Sequence, residues 1–142
     1  MSIPWDVNYV AVLVAAVAGM IIGAIYFSSA VAGKAWLKAT GKTKEELGSG
    51  AGPTMYITAA IFQLLTATVL AAIIGWSGAI GVGEGLLVGA IVWAGIAAPA
   101  TALAFLFEMK TMANQIIVAL HTLIVMLAMS VIISIWTSVG AA

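Results

Sequence analysis

His121 is the chain's one histidine, and it lies inside the last of four long apolar stretches. It falls about ten residues into that stretch, or about 15 Å at 1.5 Å per residue, near a bilayer midplane. Ionisable groups at such depth are costly and are functional candidates by default. A histidine there could ligate the metal of a haem or chlorophyll, with Met126 or Met129 as a second ligand for haem, or relay protons. Kept neutral, it would instead hydrogen-bond a neighbouring helix and hold a bundle together. Gln63 sits at nearly the same depth in the second stretch, ten residues after Pro53, and Thr66 follows it by about one helical turn. Asn114 precedes His121 by seven residues, so the two project from one helix face. If the second and fourth stretches adjoin, a Gln63–His121 hydrogen bond is expected. Gln63, Thr66, Asn114 and His121 would then form one internal polar network that lines a solute path or glues helices. No acid joins it, which favours glue.

The remaining charges exclude much other chemistry. Asp6, Glu45, Glu46, Glu84 and Glu108 all lie at the ends of the apolar stretches, and no Asp, Glu, Lys or Arg falls inside one. Ion-coupled transport usually needs a titrating carboxylate at the depth of its substrate. No Ser-His-Asp set, paired acid, metal-ligand cluster or phosphate loop is present. We therefore expect no enzyme activity, no catalytic residue and no metal site, with haem or chlorophyll on His121 as the sole cofactor candidate. There is no cysteine, hence no disulfide or thiol chemistry. Net charge is zero, and no basic face is built for nucleic acid.

These side chains need elements to carry them. The chain has 142 residues, of which 64% are hydrophobic and 7% charged, too little polar surface for a water-soluble fold. A span needs roughly 20 apolar residues, and each stretch meets that length. A backbone in lipid must satisfy its own hydrogen bonds, so the stretches are expected to be helices. They do not alternate with period two, which disfavours a β-barrel. The expected fold is all-α, one domain of four antiparallel transmembrane helices over about 7–32, 54–76, 84–107 and 112–136, with a loop over 33–53. The only basic side chains, Lys34, Lys38, Lys42, Lys44 and Lys110, lie in the first and third loops. The positive-inside bias puts those loops in the cytoplasm and both termini outside, and the Ala- and Gly-rich composition points to a bacterial source, hence a bacterial inner membrane. Residues Met1 to Asp6 carry no positive n-region, so the first span is expected to be a retained anchor.

Small residues recur where helices must meet. Ala11, Ala15, Gly19 and Gly23 stripe the first span, and Gly81, Gly85 and Gly89 stripe the third. Each stripe lets another backbone approach closely. Ser130, Ser134 and Ser138 form a hydroxyl stripe on the fourth span, roughly opposite His121. The run Gly19-Met20-Ile21-Ile22-Gly23-Ala24-Ile25 echoes Gly85-Leu86-Leu87-Val88-Gly89-Ala90-Ile91, either as a duplicated hairpin or as chance among Gly-, Ala- and Ile-rich spans.

The connections carry local signals. Lys34, Trp36, Leu37 and Lys38 read as a helix end leaving the membrane with snorkelling lysines. Thr43 and Glu46 fit a capping box. Gly48-Ser49-Gly50-Ala51-Gly52 reads as a hinge, and Pro53 suits the first turn of span two. Glu84 opens span three, Pro99 is expected to kink it, and Glu108-Met109-Lys110 makes a tight turn. Trp5, Tyr9, Trp76 and Trp136 mark one membrane interface, and Trp36 the other.

The pattern Asn8-Tyr9, Ala15-Ala16-Val17-Ala18-Gly19, Gly23-Ala24-Ile25-Tyr26 and Gly33-Lys34-Ala35-Trp36, followed by Thr43-Lys44-Glu45-Glu46-Leu47, resembles the DUF1761 family of small bacterial membrane proteins. Gly89, Trp93, Pro99, Phe107-Glu108, Asn114 and His121 continue the likeness over nearly the whole chain. The resemblance implies four spans and carries no assigned function, so no site residue comes with it. Ser28-Ser29 stands where a proline-containing segment is expected, which implies a straighter first span. The expected function is that of an accessory or scaffolding subunit packed on larger membrane partners or on itself. A homo-oligomeric channel or carrier past Gln63 and His121 is the alternative, and a pigment- or haem-associated subunit the third reading.

Overall fold

The computed structural model describes residues 6–50 and 52–140, with only the backbone at Ser49 and over 138–140. Expectations for Trp5, Ala51 and the Ser138 side chain fall outside that description. Among the described residues the secondary structure is all helical, and four helices are long and apolar enough to cross a membrane. Large apolar side chains such as Leu13, Ile61, Leu87 and Leu120 point outward. That inverts a water-soluble fold and fits a multi-pass membrane protein.

Helix α1 runs over Tyr9–Tyr26. Asn8 caps it, its Oδ1 accepting from the amides of Val10 at 3.0 Å and Ala11 at 3.1 Å. It stops six residues short of the expected Ala32, because the chain turns a corner at Phe27. There the Ala32 amide donates to Tyr26 O at 2.9 Å and the Gly33 amide to Ser28 O at 2.9 Å. A Cβ on Gly33 would stand 2.6 Å from Ser28 O, so the corner needs glycine. Ser28-Ser29 thus sits in a turn rather than in a straighter span. Lys34 to Lys38 then belong to a separate short helix, α2 (Gly33–Thr40), which ends at Gly41 with φ 68°.

Helix α3 covers Lys44–Gly50. Its capping box forms in both directions: Glu46 N donates to Thr43 Oγ1 at 3.2 Å, and Thr43 N to Glu46 Oε2 at 2.8 Å. The expected hinge is therefore helical through Gly50. Helix α4 (Pro53–Ser77) has Pro53 in its first turn and ends at Gly78, φ 69°.

The third span is helix α5 (Val82–Val92), a π-helical turn (Trp93–Ala97) and helix α6 (Ala98–Phe107). It starts two residues before Glu84, whose Oε2 accepts from Ile80 N at 2.6 Å and ties down the first turn. A proline in a regular helix would collide with the carbonyl four residues back. Here the Ala98 amide reaches back to Trp93 O, so a wider turn precedes Pro99 where a kink was expected. After the Glu108–Lys110 turn, with Met109 at φ 53°, helix α7 runs over Met112–Gly140.

Helix α7 is central, packing on α1 along one side and α5 along another, with α4 closing on α1. Val12, Ala15, Ala16, Ala67, Leu70, Ala71, Ile74, Val125, Met129 and Ile133 make the core. They cluster toward the end away from the lysines, where Ser130 and Ser134 are buried as well, whereas Asn114 is buried toward the lysine-bearing end. Lipid tails are as apolar as leucine, so close packing rather than escape from water must hold these helices together.

Candidate functional site

His121 projects from α7 at the level of the last turn of α1. The position where a Gly23 Cβ would stand is 3.3 Å from His121 Nε2. The imidazole centroid is 5.3 Å from that of Tyr26 and 4.8 Å from that of Phe27. Phe27 in turn meets Trp36 of α2 at 5.1 Å. Tyr26 Oη donates to Ile117 O at 2.8 Å, locking the end of α1 to α7 one turn before the histidine. Nε2 is buried and has no hydrogen-bond partner.

The sequence expectation placed His121 near mid-bilayer by counting along its own helix. But α7 has 29 residues, about 43 Å, which exceeds a hydrocarbon core of about 30 Å. Its first turns run past α1, so His121 lies near the lysine-bearing end of α1 and not at its middle.

The four-residue polar network does not assemble. Gln63 turns toward Gly19, where an added Cβ would meet its Oε1 at 2.8 Å and Met129 Cε at 2.7 Å. No Gln63–His121 bond forms, because each side chain fills a different notch on α1, at Gly19 and Gly23. Thr66 faces a separate apolar groove between α4 and the π-helical turn, a space of about 260 Å³ floored by Met126. Asn114 shares a helix face with His121, but it lies beyond the end of α1 and meets other neighbours.

Those neighbours form a cleft of about 430 Å³ at the lysine-bearing end, lined by Trp36, Thr40, Lys42, Phe105, Lys110 and Asn114 among others. Thr111 Oγ1 donates to Ala39 O at 3.1 Å and accepts from Asn114 N at 3.3 Å, joining α2 to the start of α7. Lys110 pairs with Glu108 and sits over the Phe105 ring at 5.0 Å. Asn114 is 5% exposed, and its Oδ1 has no partner.

The glycine stripes reach two sides of α7. Gly19 and Gly23 of α1 face Met129 and His121, with Ala15 fully buried beside them. Gly85 and Gly89 of α5 face Ser134 and Ser130. The two echoing segments thus present equivalent glycine pairs to one helix. Gly81 is not part of the seam. It caps α5 with φ 87°, and nothing lies within 4 Å of where its Cβ would be.

The observed polar contacts include several that spacing did not suggest. Trp93 Nε1 donates to Thr122 Oγ1 at 3.0 Å, bridging the π-helical turn to α7. Tyr26 enters the sequence reading only as part of the family likeness and Phe27 not at all, and neither is expected there to meet His121. Their signal was Gly33 followed by the amphipathic Lys34-Trp36-Leu37-Lys38 pattern, which marks a helix distinct from the span.

The arrangement does not suit haem or chlorophyll. Nε2 faces the Gly23 backbone, and Tyr26 and Phe27 wall the ring, so a macrocycle has no room at the ligating atom. Among the described residues no group of three or more His, Cys, Asp or Glu could hold a metal ion.

A family model described as "Protein of unknown function (DUF1761)" matches residues 10–134, most of the chain. No curated protein and no solved structure matches it.

Proposed function

The chain belongs to the DUF1761 family, and from that premise we propose that it is a non-catalytic accessory or scaffolding subunit of the membrane, assembling with other membrane proteins or with itself. One observation carries this reading. Only 6% of the third span's apolar window is buried, against 28% in each of the other three. Across α5, the π-helical turn and α6, only Gly85 and Gly89 are buried. Lipid can cover the large side chains of that face. Its exposed Ala94, Gly95, Pro99, Ala100 and Ala104, however, lie between the exposed side chains of Ile96 and Leu103 and leave gaps into which the side chains of another helix could pack. The positive-inside bias supports a cytoplasmic lysine-bearing end and outer termini, and the Ala- and Gly-rich composition supports a bacterial inner membrane.

The test is gentle extraction of a tagged copy from native membranes, with particle size and co-purifying chains identified. A defined assembly larger than one chain is expected. Leu at Gly95 or Ala100 should break it up without lowering the stability of the isolated chain. A single-chain particle would overturn the reading. A homo-oligomeric solute pathway near Gln63 and His121 is the second reading, favoured by His121 Nε2 being a buried polar atom without a hydrogen-bond partner, which a pathway would need a rearrangement of Tyr26 and Phe27 to open. Flux into proteoliposomes lost in His121→Leu would support it, and no flux across a wide solute screen would count against it.

A further inference from the structure

We propose that the cleft between α2, the Glu108–Lys110 turn and the start of α7 binds the headgroup of an anionic phospholipid that carries both a phosphate and a free hydroxyl.

The charge of the cleft selects an anion. Lys42 and Lys110 line it, and no carboxylate does. Thr111 caps α7 through its bond with Asn114 N, so the positive end of the longest helix opens at the same place. Lys110 is held by Glu108, but the two side chains are 45% and 54% exposed. A surface pair of that kind is weak, and a phosphate can take its place.

Asn114 supplies the second, independent requirement. It lines the cleft, is 5% exposed, and its Oδ1 has no partner. Buried polar atoms are nearly always paired. A terminal amide rotates readily and offers both functions. Its carbonyl would accept from a headgroup hydroxyl, or its NH2 would donate to a phosphate oxygen. The neighbouring hydroxyls are already committed, Thr40 Oγ1 to Leu37 O and Thr111 Oγ1 to Ala39 O. Asn114 is therefore the group in the cleft that still calls for a ligand.

The rim favours a lipid over a soluble phosphate ester. Trp36, Leu47, Phe105 and Met109 give the cleft an apolar side. Phe107 and Met109, 87% and 93% exposed, stand out from the same end of the bundle. Such side chains are suited to the acyl and glycerol region beside a bound headgroup.

The experiment uses the full chain in mild detergent. Phosphatidylglycerol, phosphatidylcholine and soluble glycerol phosphate are added separately, and retention by native mass spectrometry and thermal shift are read. Phosphatidylglycerol should be retained and should raise the melting temperature, while phosphatidylcholine should do neither. Lys42→Ala with Lys110→Ala, and separately Asn114→Leu, should each weaken retention by about tenfold. Lys34→Ala with Lys38→Ala removes the same charge outside the cleft and should leave retention unchanged. Equal retention of both lipids would overturn the proposal, as would equal loss in the two lysine pairs. A shift with glycerol phosphate but none with phosphatidylglycerol would also overturn it, and would assign the cleft to a soluble ester.

Discussion

Ser134 of α7 lies directly against Gly85 of α5: a Cβ added to Gly85 would stand 2.8 Å from Ser134 Cβ and closer still to its hydroxyl. One turn along, Gly89 would meet Ser130 Cβ at 3.1 Å. Gly85→Ala should therefore push α5 off α7 and cost about 1–3 kcal/mol. Gly95→Ala, with nothing within 4 Å, should leave thermal stability in mild detergent unchanged. Equal melting temperatures for Gly85→Ala and the parent would mean that this seam is loose.

The same seam holds a hydroxyl that does not help it. Ser134 Oγ is buried without a partner, whereas Ser130 Oγ donates to Met126 O at 2.8 Å. Removing an unsatisfied buried group should stabilise, so Ser134→Ala should gain about 1 kcal/mol. Ser130→Ala should lose about 0.6 kcal/mol or less. A loss in Ser134→Ala comparable to that of a core truncation would show that the hydroxyl has a partner in the membrane.

Two glycines on opposite sides of the α1 corner should respond differently to one methyl group. At Gly19 the obstacles are the flexible ends of Met129 and Gln63, so Gly19→Ala should cost about 1 kcal/mol, with Gly19→Leu markedly worse. At Gly33 the obstacles are the backbone carbonyls of Phe27 and Ser28, which cannot swing aside. Gly33→Ala should cost about 3 kcal/mol and change the emission of Trp36, whose ring rests on Phe27. Unchanged emission together with unchanged stability would refute the close corner.

His121 makes a separable prediction. Its Nε2 gains no hydrogen bond, so His121→Leu should hold or raise stability. Tyr26→Phe loses the bond to Ile117 O and should cost about 0.6–1.7 kcal/mol. A stability loss in His121→Leu larger than in Tyr26→Phe would mean that the imidazole, not the phenol, pins α1 to α7.

Much of the frame was legible because its causes are local. The capping box at Thr43 and Glu46, Pro53 at a helix start and the run of apolar residues in each span depend on near neighbours alone. The candidate site was legible only in part. Asn114 and His121 do share a face, but helical periodicity cannot say where an adjacent helix ends. Because α1 stops at Tyr26, those two residues look onto different surroundings. Gly81 continues a four-residue spacing but precedes the helix, so spacing alone assigned it to a seam that it never reaches. The Trp93–Thr122 bond depends on a π-helical turn, whose cause, Pro99, lies downstream of it.

That wider turn also acts as a phase shift along the third span. One surplus residue rotates everything after it by about 100° relative to a regular helix. The upper half can therefore aim Gly85 and Gly89 at α7, while the lower half aims Phe105 at the cleft. The two halves are geared to different partners, and the gear is a residue count rather than a residue type. Deleting one residue between Trp93 and Ala97 would disengage them more thoroughly than any substitution at Pro99.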